Sequence, residues 1–257
     1  MTGAPDTGAA LQVARDGAVW TLTLCRPDKG NALSAELVQA LGAAVGAASA
    51  DGGVRLLILE GAGRHFCTGF DLSDLDRETD QTLLARFVDV ELLLQALHAA
   101  PFMTLAIAHG RTMGAGADLF CACAERWVAG QASFAFPGAA FGLVLGTARL
   151  ADRVGPAHAS AWVEGGVPVD GAAALQAGLA TRLLDEAGLD AARNELKART
   201  QRLDPETGRA IHLAIGAVRR PRGDDGDAHD LARLVRSAAR PGLRDRIAAY
   251  RAAQLRK

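Results

Sequence analysis

The sequence predicts an α/β protein: a spiral of strand-strand-helix units with two stacked sheets, followed by a helical C-terminal region. Three observations predict it. Short apolar runs of strand length alternate with helix-spaced segments as far as Leu184. Two of these runs, Val54 to Glu60 and Met103 to Ala108, hold unbroken apolar stretches at Leu56 to Leu59 and Leu105 to Ala108, as strands covered on both faces do. Beyond Asp185 the periodicity is helical only. No Gly-x-Gly-x-x-Gly follows the first strand, which argues against a dinucleotide fold.

The elements follow in order. Leu11 to Arg15 and Ala18 to Leu24 flank Asp16-Gly17, a hairpin signal. Arg26 to Gly30 reads as a loop, and Ser34 as the cap of a helix with Leu37, Val38, Leu41 and Val45 on one face. Leu83 to Leu97 keeps helical spacing. Asp89 and Glu91 lie on it and are expected to face solvent, as are most acids from Asp71 to Asp80. Arg126 to Ala129 and Ala132 to Phe136 read as two short strands, with Glu125 and Arg126 as a solvated pair. Leu150 to Val163 and Asp170 to Ala177 read as helices, and Ala180 to Leu184 as the last strand. Four helices then cover roughly 187–202, 205–218, 229–240 and 242–254, with a polar linker from Arg219 to Asp227. Their apolar stripes, including Leu231, Leu234, Val235 and Ile247, lack a large core of their own and are expected to bury against another subunit.

Composition excludes several classes. A chain of 257 residues with 49% hydrophobic residues, 22% charged residues and a net charge of -1 offers no bulk charge for nucleic acid or a membrane surface. The first ten residues have neither a basic stretch nor an apolar stretch of a leader, and no run reaches the roughly 18 apolar residues of a span. Cys25, Cys67, Cys121 and Cys123 lack metal-binding spacing and read as buried thiols in a reducing cytoplasm, with no metal and no permanently bound cofactor expected.

The functional signal lies in two glycine turns. Met103 to Ala108 ends at His109-Gly110 and runs into Gly114, Ala115 and Gly116, after which an apolar helical segment starts at Leu119. Such a helix start leaves N–H groups without partners and carries about half a positive charge, which favours an oxygen acquiring negative charge. A second turn, Gly61 to Asp71, follows the upstream buried strand. Together they could aim one N–H each at a single carbonyl oxygen. His65 and His109 border the turns and are expected to be hydrogen-bonded locally.

At these residues the chain resembles the crotonase superfamily, the enoyl-CoA hydratase/isomerase family. Its motifs are RPDKGNAL (Arg26 to Leu33), GRHFCTGFDL (Gly63 to Leu72), HGRTMGAGADL (His109 to Leu119) and GGVPVDGAAALQAGLA (Gly165 to Ala180). The resemblance implies a crotonase-like acyl-CoA-binding core over 1–185 and a helical assembly region over 186–257 forming a homotrimer or dimer of trimers. It implies that the N–H groups of Phe70 and Ala115 hold a thioester oxygen. Lys29, Ala32, Gly69, Asp71, Leu72, Ser73 and Gly114 join these two in contacting coenzyme A or its acyl group. Ser73 stands where many hydratases carry a lysine.

Asp118 occupies the place of the first of two family glutamates, one methylene shorter; at the second place the chain reads Pro137-Gly138. The following segment, Phe141 to Thr147, is shorter than in relatives. Trp162 and Glu164 border the acyl pocket by position. Three readings stay open: an enzyme in which Asp118 works with one relocated acid or water to hydrate, isomerise or cleave an acyl-CoA, a side-branch enzyme such as a decarboxylase, C–C hydrolase or thioesterase, or a catalytically impaired acyl-CoA-binding subunit.

Overall fold

The computed structural model describes residues 9–218, 226–254 and 256. The N-terminal stretch through residue 8 and most of the polar linker therefore lie outside the described residues. The first hairpin pairs β1 (Leu11–Asp16) with β2 (Val19–Leu24) in an antiparallel ladder closing at Asp16–Val19. Its two loop residues are thus Gly17 and Ala18, one position later than the sequence suggests. Ser34 caps α1 (Ala35–Ala50) by accepting from the N–H of Leu37, and the four expected apolar residues of that helix are buried.

β3 (Leu56–Gly61), α2 (Asp80–His98), β4 (Met103–Met113), α3 (Ala115–Ala122) and β5 (Glu125–Ala135) build the centre. The strands β2, β3, β4 and β5 are parallel neighbours, so the intervening helices cross over the sheet. The two short strands expected after Glu125 are one strand, and its ladder with β4 shifts register between Ala108 and Gly110. An irregularity of this kind bends a strand locally, and it lies where β4 runs on to the glycine turn.

Next come α4 (Thr147–Gly165), β6 (Val169–Asp170), α5 (Gly171–Gln176) and β7 (Arg182–Leu184). β6 and β7 both pair with β5, completing one seven-stranded sheet. In place of a separate second sheet, the described residues show isolated parallel bridges, Leu33–Phe70 and Cys67–Thr112. The main core fills the space between α1, α2, α3 and one face of the sheet, around Leu22, Leu59, Phe66, Leu94 and Phe120.

The C-terminal helices divide by role. α6 (Glu186–Thr200) lays Ala192 and Leu196 on the other sheet face against Ile58, Leu105 and Trp127. α7 (Pro205–Val218) leaves Ile211, Leu213 and Ile215 exposed. α8 (Gly226–Ala238) and α9 (Leu243–Gln254) bury Leu234, Ala238, Leu243 and Ile247 against Leu75, Leu83, Phe87 and Leu143. The stripe expected to meet another subunit at Leu234 and Ile247 is therefore satisfied within the chain. Asp80 fixes this arrangement by accepting from the N–H groups of Gly242 and Arg244, each at 2.8 Å.

Several charges expected in solvent are engaged. Asp71 pairs with Arg26 at 2.7 Å and Glu78 with Arg86 at 2.5 Å. Arg126 is buried and donates to the carbonyls of Cys123, Ala124, Gly178 and Leu179, while Glu125 binds Arg199 and Thr181. All four thiols are free, and burial pushes Cys67 and Cys123 up to about 12. Among the described residues no helix is long and apolar enough to cross a membrane.

Candidate active site

The two glycine turns meet. Leu33 donates to the carbonyl of Gly69 and accepts from Asp71, so strand alternation turns the N–H of Phe70 away from Leu33. Gly69 has φ of +97°, and a Cβ there would stand 2.7 Å from the carbonyl oxygen of Met113 and 3.6 Å from the backbone nitrogen of Ala115. Only a glycine permits this approach. Ala115 is the first residue of α3, a position whose N–H has no intrahelical acceptor.

This junction opens into a cavity of about 850 Å³ lined by Thr68, Gly69, Phe70, Leu72, Gly114 and Ala115. Phe87, Phe136, Phe141 and Leu143 supply apolar wall, and Tyr250 and Arg251 of α9 close one side. Phe70 is held with its ring stacked 4.2 Å from Phe87 and the Arg86 guanidinium 4.1 Å from its centroid. Phe141 packs against Tyr250 at 5.3 Å, and Arg251 donates to the carbonyl of Leu72.

Asp118 is the single carboxylate among the described residues lining the cavity. It lies one turn into α3 and is 5% exposed. Gly114, the residue before that helix, receives no side-chain cap, and the Asp118 backbone N–H instead donates to the Gly114 carbonyl. The side chain therefore does not cap its own helix. No hydrogen bond to its carboxylate is found among the described residues. Burial pushes it up to about 8; the charge of Arg149 opposes that shift and the charge of Glu91 adds to it. Near neutral pH it is mainly a neutral acid.

Behind Asp118 lies a buried ionic group that single-sequence reading missed. Glu91 is 1% exposed rather than solvated. It accepts both terminal nitrogens of Arg149, at 2.9 and 2.5 Å, and Gln95 donates to it at 2.8 Å. Asp230 of α8 lies 3.8 Å from the same guanidinium. Nothing local marks this pair, because its members are 58 residues apart. Asp89 is exposed, as expected.

The other expected residues fall outside the lining. Lys29 is exposed at the end of a 3-10 turn, Ala32 is buried, Asp71 holds Arg26, and the Ser73 N–H donates to Asp71. His109 contacts the carbonyl of Gly63, and His65 accepts from the N–H of Arg111; each contact joins residues 46 apart and so ties the two turns together where local bonding was expected. Trp162 stacks on Phe136 at 6.4 Å, and Glu164 is exposed and accepts from Ser160. Gly138 lines the cavity within the turn Pro137–Phe141, offering no acid there.

A family model described as enoyl-CoA hydratase/isomerase matches residues 19–240. A Mycobacterium bovis protein named "Probable enoyl-CoA hydratase echA6" is 34% identical over 219 residues, covering 84% of this chain and 83% of that protein. A Bacillus subtilis protein named "Probable enoyl-CoA hydratase" is 32% identical over 77% of this chain and 78% of its own length. The crystal structure of a Bordetella parapertussis protein, named for the enoyl-CoA hydratase/isomerase class, superposes with a TM-score of 0.88. The two are 42% identical, with 94% of this chain and 98% of that one covered.

Proposed function

The chain belongs to the enoyl-CoA hydratase/isomerase family, and from that premise we propose that it moves the double bond of an enoyl-CoA thioester. In this reading the backbone N–H groups of Phe70 and Ala115 hold the thioester oxygen and Asp118 carries the proton. Fixed donors of this kind contribute about 2.7 to 4 kcal/mol each where an oxyanion develops. The junction of Gly69 with Ala115 supports such a pair by drawing both turns to one point.

The observation that carries the reading is Asp118, a buried carboxyl that is alone of its kind among the described residues lining the cavity, has no hydrogen bond among them and is raised toward neutrality. In its ionised form it removes a proton from the alpha carbon, between the thioester carbonyl and the 3-ene double bond, the negative charge collects on the thioester oxygen, and the neutral acid returns the proton to the gamma carbon at the far end of the dienolate, leaving the double bond conjugated with the thioester. One group does both steps. Hydration by a carboxylate pair needs a second acid to hold and activate water, and the residue at that position is Gly138.

The coenzyme A portion is proposed to run over the surface near Lys29, Ala32, Asp71 and Ser73, leaving the acyl group among Phe70, Phe87 and Leu143. The exposed apolar residues of α7 support contact with a further copy of the chain, proposed as a homotrimer or dimer of trimers, and the free thiols fit a cytoplasmic setting. The test is turnover of a 3-enoyl-CoA, followed by appearance of the conjugated thioester absorbance, beside hydration of crotonyl-CoA. Isomerisation is expected to dominate hydration and to fall by about 10² or more in Asp118→Asn. Hydration that dominates and survives in the variant would overturn the proposal.

A further inference from the structure

Arg149 presents a puzzle of charge. Its guanidinium is 4% exposed and influences Asp118, yet Asp118 forms no ion pair with it. The route is short in the chain: Asp118 abuts Gly146, the residue preceding α4, and Arg149 lies in the first turn of that helix. An unpaired carboxyl beside a buried guanidinium ordinarily ionises and pairs with it. Here the guanidinium is already occupied. Both terminal nitrogens bond to the two oxygens of Glu91 in a fork, and Asp230 approaches from α8. Gln95 holds Glu91 in place and also donates to the carbonyl of Asp227 at the start of α8.

We infer that Glu91 is a positioning residue for Asp118: by occupying Arg149 it withholds that guanidinium, so that the Asp118 side chain faces the cavity unpaired. The bearing of this arrangement on catalysis, though not the arrangement itself, rests on the reading of Asp118 as the proton carrier. The surrounding groups come from several elements. From α4 comes Arg149, from α2 Glu91 and from α8 Asp230 through Arg149; Arg111 of β4 and Tyr250 and Arg251 of α9 line the same cavity, while the thiol of Cys121 on α3 is held neutral by burial. The N-terminal ends of α3 and α4 favour the carboxylate, and desolvation opposes them.

Removing Glu91's charge frees Arg149, whose buried Nε–H already lacks an acceptor. Asp230, at 3.8 Å, and Asp118 are then the carboxylates left to share its charge. Glu91→Gln is therefore expected to lower the Asp118 titration midpoint by about one pH unit or more. Asp230→Asn, at a half-buried surface position, is the second variant and is expected to lower it in the same direction by a smaller amount.

The measurement is the carboxyl infrared band of ¹³C-labelled aspartate, assigned by its loss in Asp118→Asn and followed with pH. The pH profile of kcat/KM for the 3-enoyl-CoA is recorded in parallel. A downward midpoint in either folded variant supports the role of Glu91, and a purely structural role would leave it in place. Unchanged midpoints in Asp230→Asn and in folded Glu91→Gln, or in Asp230→Asn alone if Glu91→Gln does not fold, overturn the inference. A shifted infrared midpoint with unshifted kinetics keeps the inference and removes Asp118 from the reaction.

Discussion

Gly146 and Asp118 are in contact across the site: a Cβ built on Gly146 would stand 2.6 Å from Cγ of Asp118. Gly146 also has φ of +66°, a conformation other residues rarely adopt. The start of α4 thus fixes where the carboxyl of α3 points. Gly146→Ala is expected to displace Asp118 and to lower kcat by about tenfold or more, with a stability loss of about 1 to 3 kcal/mol. Steady-state kinetics and denaturant melts measure both.

Asp118 makes stability depend on pH in a direction opposite to the usual paired carboxylate. Its unfolded value lies near 4, whereas burial holds the folded group up to about 8. Below both values the states bind equal protons. Between them the folded state keeps a proton that the unfolded state has lost, so this group's contribution falls as pH rises. Asp118→Asn, which cannot ionise, is expected to be the more stable protein at pH 7. Its advantage should approach a slope of about 1.4 kcal/mol per pH unit within the window and vanish near pH 4. Thermal melts across pH check this, and equal stabilities at pH 7 would show that Asp118 is ionised there.

Ala115 is the first residue of α3, where proline fits because no intrahelical hydrogen bond is lost. Ala115→Pro therefore removes the N–H and leaves the helix largely intact. The expected result is a fall in kcat of about 10² to 10³ with near-wild-type circular dichroism.

Gly138 has room for a side chain. A Cβ there would meet the carbonyl oxygen of Leu143 at 3.6 Å and its Cβ at 3.8 Å, both ordinary contacts. Gly138→Glu supplies the second acid that a water-activating pair needs, and crotonyl-CoA hydration is expected to rise by about tenfold or more. No gain would mean that the lack of a carboxyl at Gly138 is not what limits hydration.

What was legible in the sequence followed local rules. The α1 cap at Ser34 and its apolar face needed only side-chain spacing, and the glycine turns announced themselves because tight backbone approach demands small residues. What was not legible depended on distant partners. The stripe on α8 and α9 has the same spacing whether it meets another subunit or α2, and only the fold shows that Leu234 and Ile247 meet Phe87's cluster. Glu91 looks like any charged helix residue until Arg149 is brought to it. The exposed bend around Gly130 made one long strand read as two.

The central claim, that Asp118 is the one side chain moving the proton, is tested most directly by comparing wild type and Asp118→Asn for acyl-CoA affinity and single-turnover rate on the same 3-enoyl-CoA. The account predicts affinity within a few fold and a rate reduced by about 10² or more, with wild-type kcat/KM rising through about pH 8. A variant that binds equally well and turns over at the wild-type rate would contradict it.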